Sequence, residues 1–413
     1  MSPRIQAPRG TFDVLPEDAQ RRALLEASAR QILERAGYGR IETPTFEATE
    51  LFARGVGEST DIVQKEMYTF EAGEGESLTL RPEGTAPVCR AYIEHGMHKL
   101  PQPVKLWYLS SYFRRERPQK GRYRQFWQLG IEAIGSDDPA VDAEAIVLLS
   151  EILETLGARG LRLRLSSLGT PATRAEYRDR LVAHLRANED RLSQEVRDRI
   201  ELNPLRAFDA DHPGTREVMA SAPLLLDALD EEDLTHFEQV KAMLDGAGVV
   251  YEVDPTLVRG LDYYTRTLFE FTSDALGAQS GVAGGGRYDG LVELIGGPAV
   301  PGVGWAAGVE RMLLASPPPP VAPPPVDLYV AYAKPELRAD AFKLAADARR
   351  AGHAARLELA GRSLKGQLKQ ADRMDARYVA IFGEEGVSLK DMESGEQKIV
   401  EAETVMHHIR GAL

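Results

Sequence analysis

Residues 316–326 read SPPPPVAPPPV, seven prolines in eleven positions. Each proline fixes φ and removes a backbone donor, so the run suits neither a helix interior nor a central strand. It reads as a stiff, extended spacer. The 413-residue chain is therefore expected to fold as separate bodies on either side of it,. The reading is a domain at 1–315, a linker at 316–326 and a smaller domain at 327–413.

The smaller body alternates in type. VDLYVAYA (326–333) reads as a strand, and 336–351 as a helix with Leu337, Ala341, Leu344, Ala345 and Ala348 near one face. RLEL (356–359) is a short strand, LKGQLKQADRMDA (364–376) a helix, and RYVAIFG (377–383) a buried strand ending at glycine,. Such alternation predicts a small α/β domain.

The larger body mixes elements. Helices are expected over 17–36, where Leu24, Leu25, Ile32 and Leu33 are apolar, and over 141–157,. Residues 171–245 are almost wholly helical in pattern and highly charged, as an insertion into a larger core would be,. Strand-like runs occur at Tyr68–Phe70, Leu78–Leu80, Val104–Ser110, Phe126–Ile134, Leu161–Leu165, Phe269–Phe271 and Gly302–Ala307. Several abut in sequence, which suits an antiparallel sheet joined by hairpins.

Composition narrows the function. With 50 Lys+Arg against 63 Asp+Glu the formal charge is −13, which counts against a protein that coats nucleic acid but permits a local basic groove,. The single cysteine, Cys89, excludes an intramolecular disulfide framework and a cysteine-only zinc cluster,. It is expected in the core of a helix after Thr85. No apolar run approaches the ~18–20 residues of a membrane span. The opening MSPRIQAPRGTFDVLP has no apolar core of the signal-peptide kind, so a cytoplasmic location is expected,.

The chemistry concentrates in five stretches. FRRERPQKGRYRQFWQLGIEAIG (113–135) places an arginine-rich loop between two strand-like flanks; residues 105–124 hold seven basic residues and one acidic residue, Glu116. Guanidinium groups pair bidentately with phosphate oxygens, so this hairpin tip suits a nucleoside triphosphate, an RNA backbone, or a solvated basic loop. On the returning strand Gln128, Gly130, Glu132 and Ile134 share a face, and a buried carboxylate there needs a partner,. RPEGTAPVCRAYIEH (81–95) sets Arg81, Glu83 and Thr85 at a strand end,. LVRGLDYYTRTLFEF (257–271) carries Arg259, Tyr263 and Tyr264, and GVAGGGRYDGL (281–291) carries three glycines that allow close approach and positive φ,. VPGVGWAAGVERMLL (300–314) is a glycine-rich strand leading to a helix with Arg311.

Together these stretches resemble the class II aminoacyl-tRNA synthetases, and among them the histidyl-tRNA synthetase family. Three class motifs are similar: YGRIETPTFE with Pro44, FRRERPQKGRYRQF through Glu132, and GVGWAAGVERMLL with Arg311. RGLDYY (259–264) and GGGRYDGL (284–291) resemble the two stretches that mark the histidine enzymes. APRGTFDVLP, SSLGT and LNPLRAFD resemble the family more weakly.

The resemblance implies an α/β (α+β) fold: an antiparallel-sheet catalytic core flanked by helices, a helical insertion at about 171–245, and a C-terminal α/β anticodon-binding domain. It implies ligation of histidine to tRNA(His) through an adenylate, with ATP and Mg²⁺ required, by a homodimer associating through the Pro44 motif. Glu83, Thr85 and Gln128 would hold the α-amino group; Glu132 and Tyr264 would read the imidazole, with Tyr288 closing the pocket. Arg114 would hold the α-phosphate and carboxylate, Phe126 would stack on adenine, and Arg122 and Arg311 would take the terminal phosphate. Arg259 would act as a fixed cation at the α-phosphate, and no protein metal ligand is assigned. Arg117 and Gln119 would meet the tRNA acceptor end. The alternatives are a histidine-sensing regulatory subunit of ATP phosphoribosyltransferase and a class II ligase for threonine, proline or glycine. The chain departs from the family at Arg115, Trp127 and Thr265.

Overall fold

The computed structural model describes residues 4–410 except 58–59, 74, 278–279 and 319–324. Most of the proline-rich linker thus lies outside the described residues. The chain divides into two compact units, Met1–Pro319 and Pro320–Leu413.

In the first unit the strands, in chain order, are β1 (Gly39–Arg40), β2 (Phe46–Ala48), β3 (Tyr68–Glu71), β4 (Ser77–Leu80), β5 (Val104–Phe113) and β6 (Gln125–Ile134). They continue with β7 (Leu161–Ser167), β8 (Glu252–Val253), β9 (Thr265–Ser273), β10 (Gly281–Arg287) and β11 (Gly302–Gly308). The helices are α1 (Pro16–Arg35), α2 (Thr49–Val56), α3 (Thr85–Glu94), α4 (Pro139–Thr155), α5 (Pro171–Ala187) and α6 (Gln194–Arg197). After these come α7 (Pro213–Met219), α8 (Glu231–Gly246), α9 (Leu291–Leu294) and α10 (Val309–Ala315).

Eight strands form one sheet in the order β1-β5-β6-β11-β10-β9-β7-β8. Pairing is antiparallel from β5 to β7 and parallel at the two edges, where two-residue strands join. The hairpin expected around the arginine-rich loop is β5–β6, closed by Phe113 opposite Gln125. Strands β3 and β4 instead form a separate three-stranded sheet with β2.

Register decides the use of each face. Leu129 and Ile131 of β6, Val303 and Trp305 of β11, Phe269 and Phe271 of β9, and Leu163 and Leu165 of β7 pack in one core with α1, α4 and α8. Trp305 Nε1 donates to the Ala145 carbonyl at 2.9 Å, satisfying the indole inside that core,. On α1 the buried positions are Leu25, Ala29, Ile32 and Leu33, one helical stripe,. Leu24, also apolar, is half exposed because it lies one residue off the stripe. Helix α4 starts at Pro139, two residues before the expected position, because Asp138 caps it by accepting from Ala140 N–H at 2.9 Å,.

The helical stretch 171–245 has two allegiances. Tyr177, Leu181, Leu185, Val196 and Ile200 form a small core with Leu257, Tyr264 and Leu268. Helix α8, through Phe237, Val240 and Leu244, belongs to the main core. Cys89 is buried in α3, as expected.

The second unit holds β12 (Val326–Tyr332), α11 (Arg338–Arg350), β13 (Ala355–Leu357), α12 (Leu364–Arg373), β14 (Ala376–Gly383), β15 (Gly386–Asp391), β16 (Gln397–Val400) and α13 (Val405–Arg410). Its sheet order is β13-β12-β14-β15-β16. The alternating part is parallel, as βαβ units require, and Ala341, Leu344, Ala345 and Ala348 of α11 bury against it,. The β15–β16 hairpin was not expected from the sequence. Its turn is made by Asp391, whose carboxylate accepts from the Glu393 and Ser394 N–H groups at 2.9 Å,. Among the described residues no helix is long and apolar enough to cross a membrane.

Candidate active site

The face of the large sheet opposite the apolar core forms the floor of a cavity of about 530 Å³. Its central strands present small residues: Gly284 of β10, opposite Ala306 of β11, and Gly304 of β11 line it. Charged groups rise at the sides, with Glu270 of β9 opposite Gly284 and Arg164 of β7 opposite Glu270. Six arginines (114, 122, 164, 206, 259 and 311) and five carboxylates (83, 116, 209, 270 and 310) line this cavity.

The triglycine run is a central strand, a conformation its composition disfavours, and it was not read as one from the sequence. Nor does it use positive φ. Crowding explains it: a Cβ at Gly284 would stand 2.4 Å from Arg259 Nη2, and one at Gly285 2.2 Å from the Gly304 carbonyl oxygen. Arg259 is held there by Glu270, whose Oε1 accepts from its Nη1 at 2.6 Å. The other Glu270 oxygen accepts from Arg164 at 3.1 Å, and Asp254 accepts from Arg164 Nε at 2.7 Å.

At one end of the cavity the hairpin loop meets α10. Arg311 donates from Nε to the Gly121 carbonyl at 2.9 Å and from Nη1 to the Gly281 carbonyl. Burial, and then the neighbouring Arg122 cation, lower the Arg311 pKa. Two guanidiniums converging there favour an anion between them. Arg122 pairs with Glu116. Arg114 donates to the Pro82 carbonyl at 2.9 Å and lies 5.3 Å from the centre of the Phe126 ring,. Arg117 and Gln119, on the loop, are exposed and do not line the cavity. Backbone bonds between Gln119 and Arg122, at 3.0 and 2.9 Å, close the tip.

The other end is built of hydroxyls around one carboxylate. Glu132 is completely buried and is not a lining residue. Its Oε1 accepts from Thr85 Oγ1 at 2.8 Å and Tyr108 OH at 3.1 Å, and its Oε2 from Tyr288 OH at 2.5 Å. Burial pushes its pKa from the ordinary 4.5 to about 8, against these hydroxyl donors,. Thr85 and Tyr288 therefore stand between Glu132 and the cavity. The carboxylate expected to read the imidazole lies one layer behind the lining residues, where the hydroxyls satisfy it,. Tyr264 is buried, with its ring 4.8 Å from that of Tyr263, and burial pushes its pKa to about 12.

Glu83 sits just ahead of α3 and accepts from the Thr85 and Ala86 N–H groups at 2.8 and 3.0 Å, so it caps the helix while it lines the cavity. Burial still raises its pKa. Gln128 Oε1 is a buried acceptor with no hydrogen-bond partner among the described residues, pointing to a ligand N–H,.

The cavity thus gathers Glu83, Thr85, Arg114, Arg122, Phe126, Gln128, Arg259, Tyr264, Tyr288 and Arg311 from segments up to 228 residues apart (311 − 83). Sequence reasoning missed Tyr108, Arg164 and Glu270. Tyr108 had a signal, since it shares the alternate face of β5 with Ser110 and Tyr112. Glu270 and Arg164 had none, because their pairing depends on strand register across about 100 residues.

A family model described as "Histidyl-tRNA synthetase" matches residues 10–312, and one described as "Anticodon binding domain" matches 327–411. The chain belongs to the histidyl-tRNA synthetase family. A histidine–tRNA ligase of Desulforamulus reducens is 48% identical over 402 residues, 95% of this chain and 96% of that one. The ligase of Streptomyces avermitilis is 48% identical over 417 residues, 99% of each chain. The apo S. aureus histidyl-tRNA synthetase structure superposes with TM-score 0.81 at 36% identity, covering 98% of this chain and 100% of that one. An ATP phosphoribosyltransferase regulatory subunit/histidyl-tRNA synthetase from Bacillus halodurans aligns with TM-score 0.64 at 22% identity, a likeness of fold. Full-length likeness to the ligases favours the histidyl-tRNA synthetase reading over the regulatory one.

Proposed function

We propose that this cavity joins histidine to ATP as histidyl-adenylate with release of pyrophosphate, and then passes the histidyl group to the 3′ end of tRNA(His). The carrying observation is that one cavity couples a multi-arginine wall to a buried cluster of carboxylate and hydroxyl groups. A carboxylate oxygen of histidine attacks the α-phosphorus, a C–O–P bond forms, and the bond from that phosphorus to the bridging oxygen breaks. Negative charge gathers at one phosphorus, so catalysis is positioning and charge stabilisation.

Arg259, fixed by Glu270, and Arg114 stand at the α-phosphate as the catalytic cations. Arg122 and Arg311 take the terminal phosphate, and adenine stacks on Phe126. Gln128, Glu83 and Thr85 hold the α-amino group, which fits the unpartnered Gln128 acceptor. Tyr264, with Glu132 acting through Tyr288 and Thr85, reads the imidazole. A site that pairs both ring nitrogens rejects apolar isosteres, because its own polar groups would be stranded. Arg117 and Gln119, exposed at the loop, meet the acceptor end of tRNA.

Mg²⁺ accompanies the triphosphate. Among the described residues no cluster of three His, Cys, Asp or Glu side chains could hold a metal. Glu83, Glu116, Asp209, Glu270 and Glu310 are each committed to backbone N–H groups or arginines. The lining carboxylates therefore offer no ready donor set for the ion. The chain works as a homodimer in the cytoplasm, associating through the segment around Pro44.

Pyrophosphate exchange into ATP, run with each amino acid in turn, tests the reading. Histidine alone should support exchange, and Glu132→Ala should abolish that selectivity. Exchange no faster with histidine than without it would sink the proposal. Light scattering of the purified chain checks the dimer.

A further inference from the structure

The APRGTFDVLP stretch near the start has no part in the site as described, yet it is tied to the nucleotide loop. We propose that residues 9–12 form a strap that positions the 114–124 loop for ATP; the ATP part of this rests on the assignment of that loop above. Arg124 N–H donates to the Gly10 carbonyl at 2.8 Å, while the Arg124 carbonyl accepts from Arg114 N–H at 2.9 Å. One residue thus links the strap to the backbone of Arg114. The Arg124 guanidinium spans the same gap, from the Arg9 carbonyl at 3.3 Å to the Glu116 carbonyl at 3.3 Å. Beside it the Phe12 ring packs on Tyr123, a cavity-lining residue, with centroids 4.6 Å apart.

The strap is itself shaped for this. Thr11 donates from N–H and Oγ1 to the Pro8 carbonyl at 3.0 and 2.8 Å, making a turn. Gly10 has φ +89°, and a Cβ there would lie 2.8 Å from both Arg124 Cγ and Pro118 Cγ. Only glycine meets both demands. Arg22 of α1 backs the contact: its guanidinium lies 5.6 Å from the Phe12 ring and pairs with Glu310 at 2.7 Å. A charged loop with exposed Arg115, Arg117 and Lys120 has few apolar contacts of its own, so an external brace limits its motion,.

The test uses the full chain with Phe12→Ala, a surface change that leaves the core intact, beside Gly10→Val. Pyrophosphate exchange should show KM for ATP raised about ten-fold or more with KM for histidine unchanged, since misplacement of a positioning group is costly. Phe12→Tyr should restore it. Trypsin should cut after Arg115 and Lys120 faster in Phe12→Ala than in the parent. Unchanged cleavage, or equal rises in both KM values, overturns the strap. Faster cleavage with unchanged KM for ATP upholds the strap and overturns the assignment of the loop to ATP.

Discussion

Arg259 lies across the backbone of Gly284, so close that a β-carbon at 284 would stand 2.4 Å from the Nη2 atom. The guanidinium and the bare strand are one device. A methyl group at 284 leaves the strand pairing intact but pushes Arg259 off its seat against Glu270. Gly284→Ala should cut the exchange rate by about 10²-fold, the scale of a 1 Å misplacement, with a smaller change in KM for histidine. Steady-state exchange kinetics read this directly, and a near-parental rate would show that Arg259 is not the cation at the reacting phosphate.

Removing the cation itself goes further. Arg259→Ala should slow adenylate formation by about 10²–10³-fold, the usual scale for loss of one fixed charge-stabilising group. Histidine binding, followed by calorimetry without ATP, should change little. Loss of histidine affinity equal to the loss of rate would place Arg259 in the amino-acid pocket instead.

Glu132 makes stability depend on pH. Its folded carboxyl keeps its proton up to about 8, whereas the unfolded one releases it near 4.5. Between these values the folded state binds more protons, so stability falls as pH rises. The contribution is fully present below pH 4.5 and lost as pH passes 8, amounting to a few kcal/mol. Thermal unfolding of the ligand-free chain from pH 5 to 8.5 should show a declining Tm, and Glu132→Gln should flatten it. Parallel curves for the two proteins would contradict the buried-carboxyl account.

Gly304 tests packing beneath the same carboxylate. A Cβ there would meet Glu132 Oε2 at 2.0 Å and the Ile131 carbonyl oxygen at 2.4 Å. The second clash is with backbone and cannot be relieved by a rotamer. Gly304→Ala should destabilise by about 1–3 kcal/mol or more, the cost of overpacking a site already filled by backbone and a buried side chain. Denaturant unfolding measures it.

The exposed loop predicts the salt response. If exposed Arg117 meets acceptor-end phosphates as proposed, tRNA affinity should fall steeply with salt even though the whole chain is acidic,. Arg117→Ala should reduce the slope of log K against log salt by about one, without altering histidine-dependent exchange. An unchanged slope removes Arg117 from the tRNA contact.

Local order carried much of this architecture. The alternation over 326–383 depends on near neighbours, and so does the β5–β6 hairpin, whose strands abut. Helix boundaries missed by one or two residues where a cap or proline decided them, as at Asp138 and Pro139. Among the apolar positions of α1, Leu24 is half exposed while Leu25 is buried, because apolar character alone does not tell a buried stripe from its edge. The β15–β16 hairpin escaped because polar residues dominate its strands and an Asp391 turn, rather than an apolar run, defines it.

Residue order alone was enough for the family, the antiparallel core and ten of the residues that line the cavity, because motifs and periodicity are local properties of a chain. The tertiary structure alone decided that GGG is a central strand beneath Arg259, that Glu270 anchors that arginine, and that Thr85 and Tyr288 stand between Glu132 and the cavity. Those facts depend on which strands pair and in what register. Burial of many apolar residues at once sets that register, and no single segment carries it.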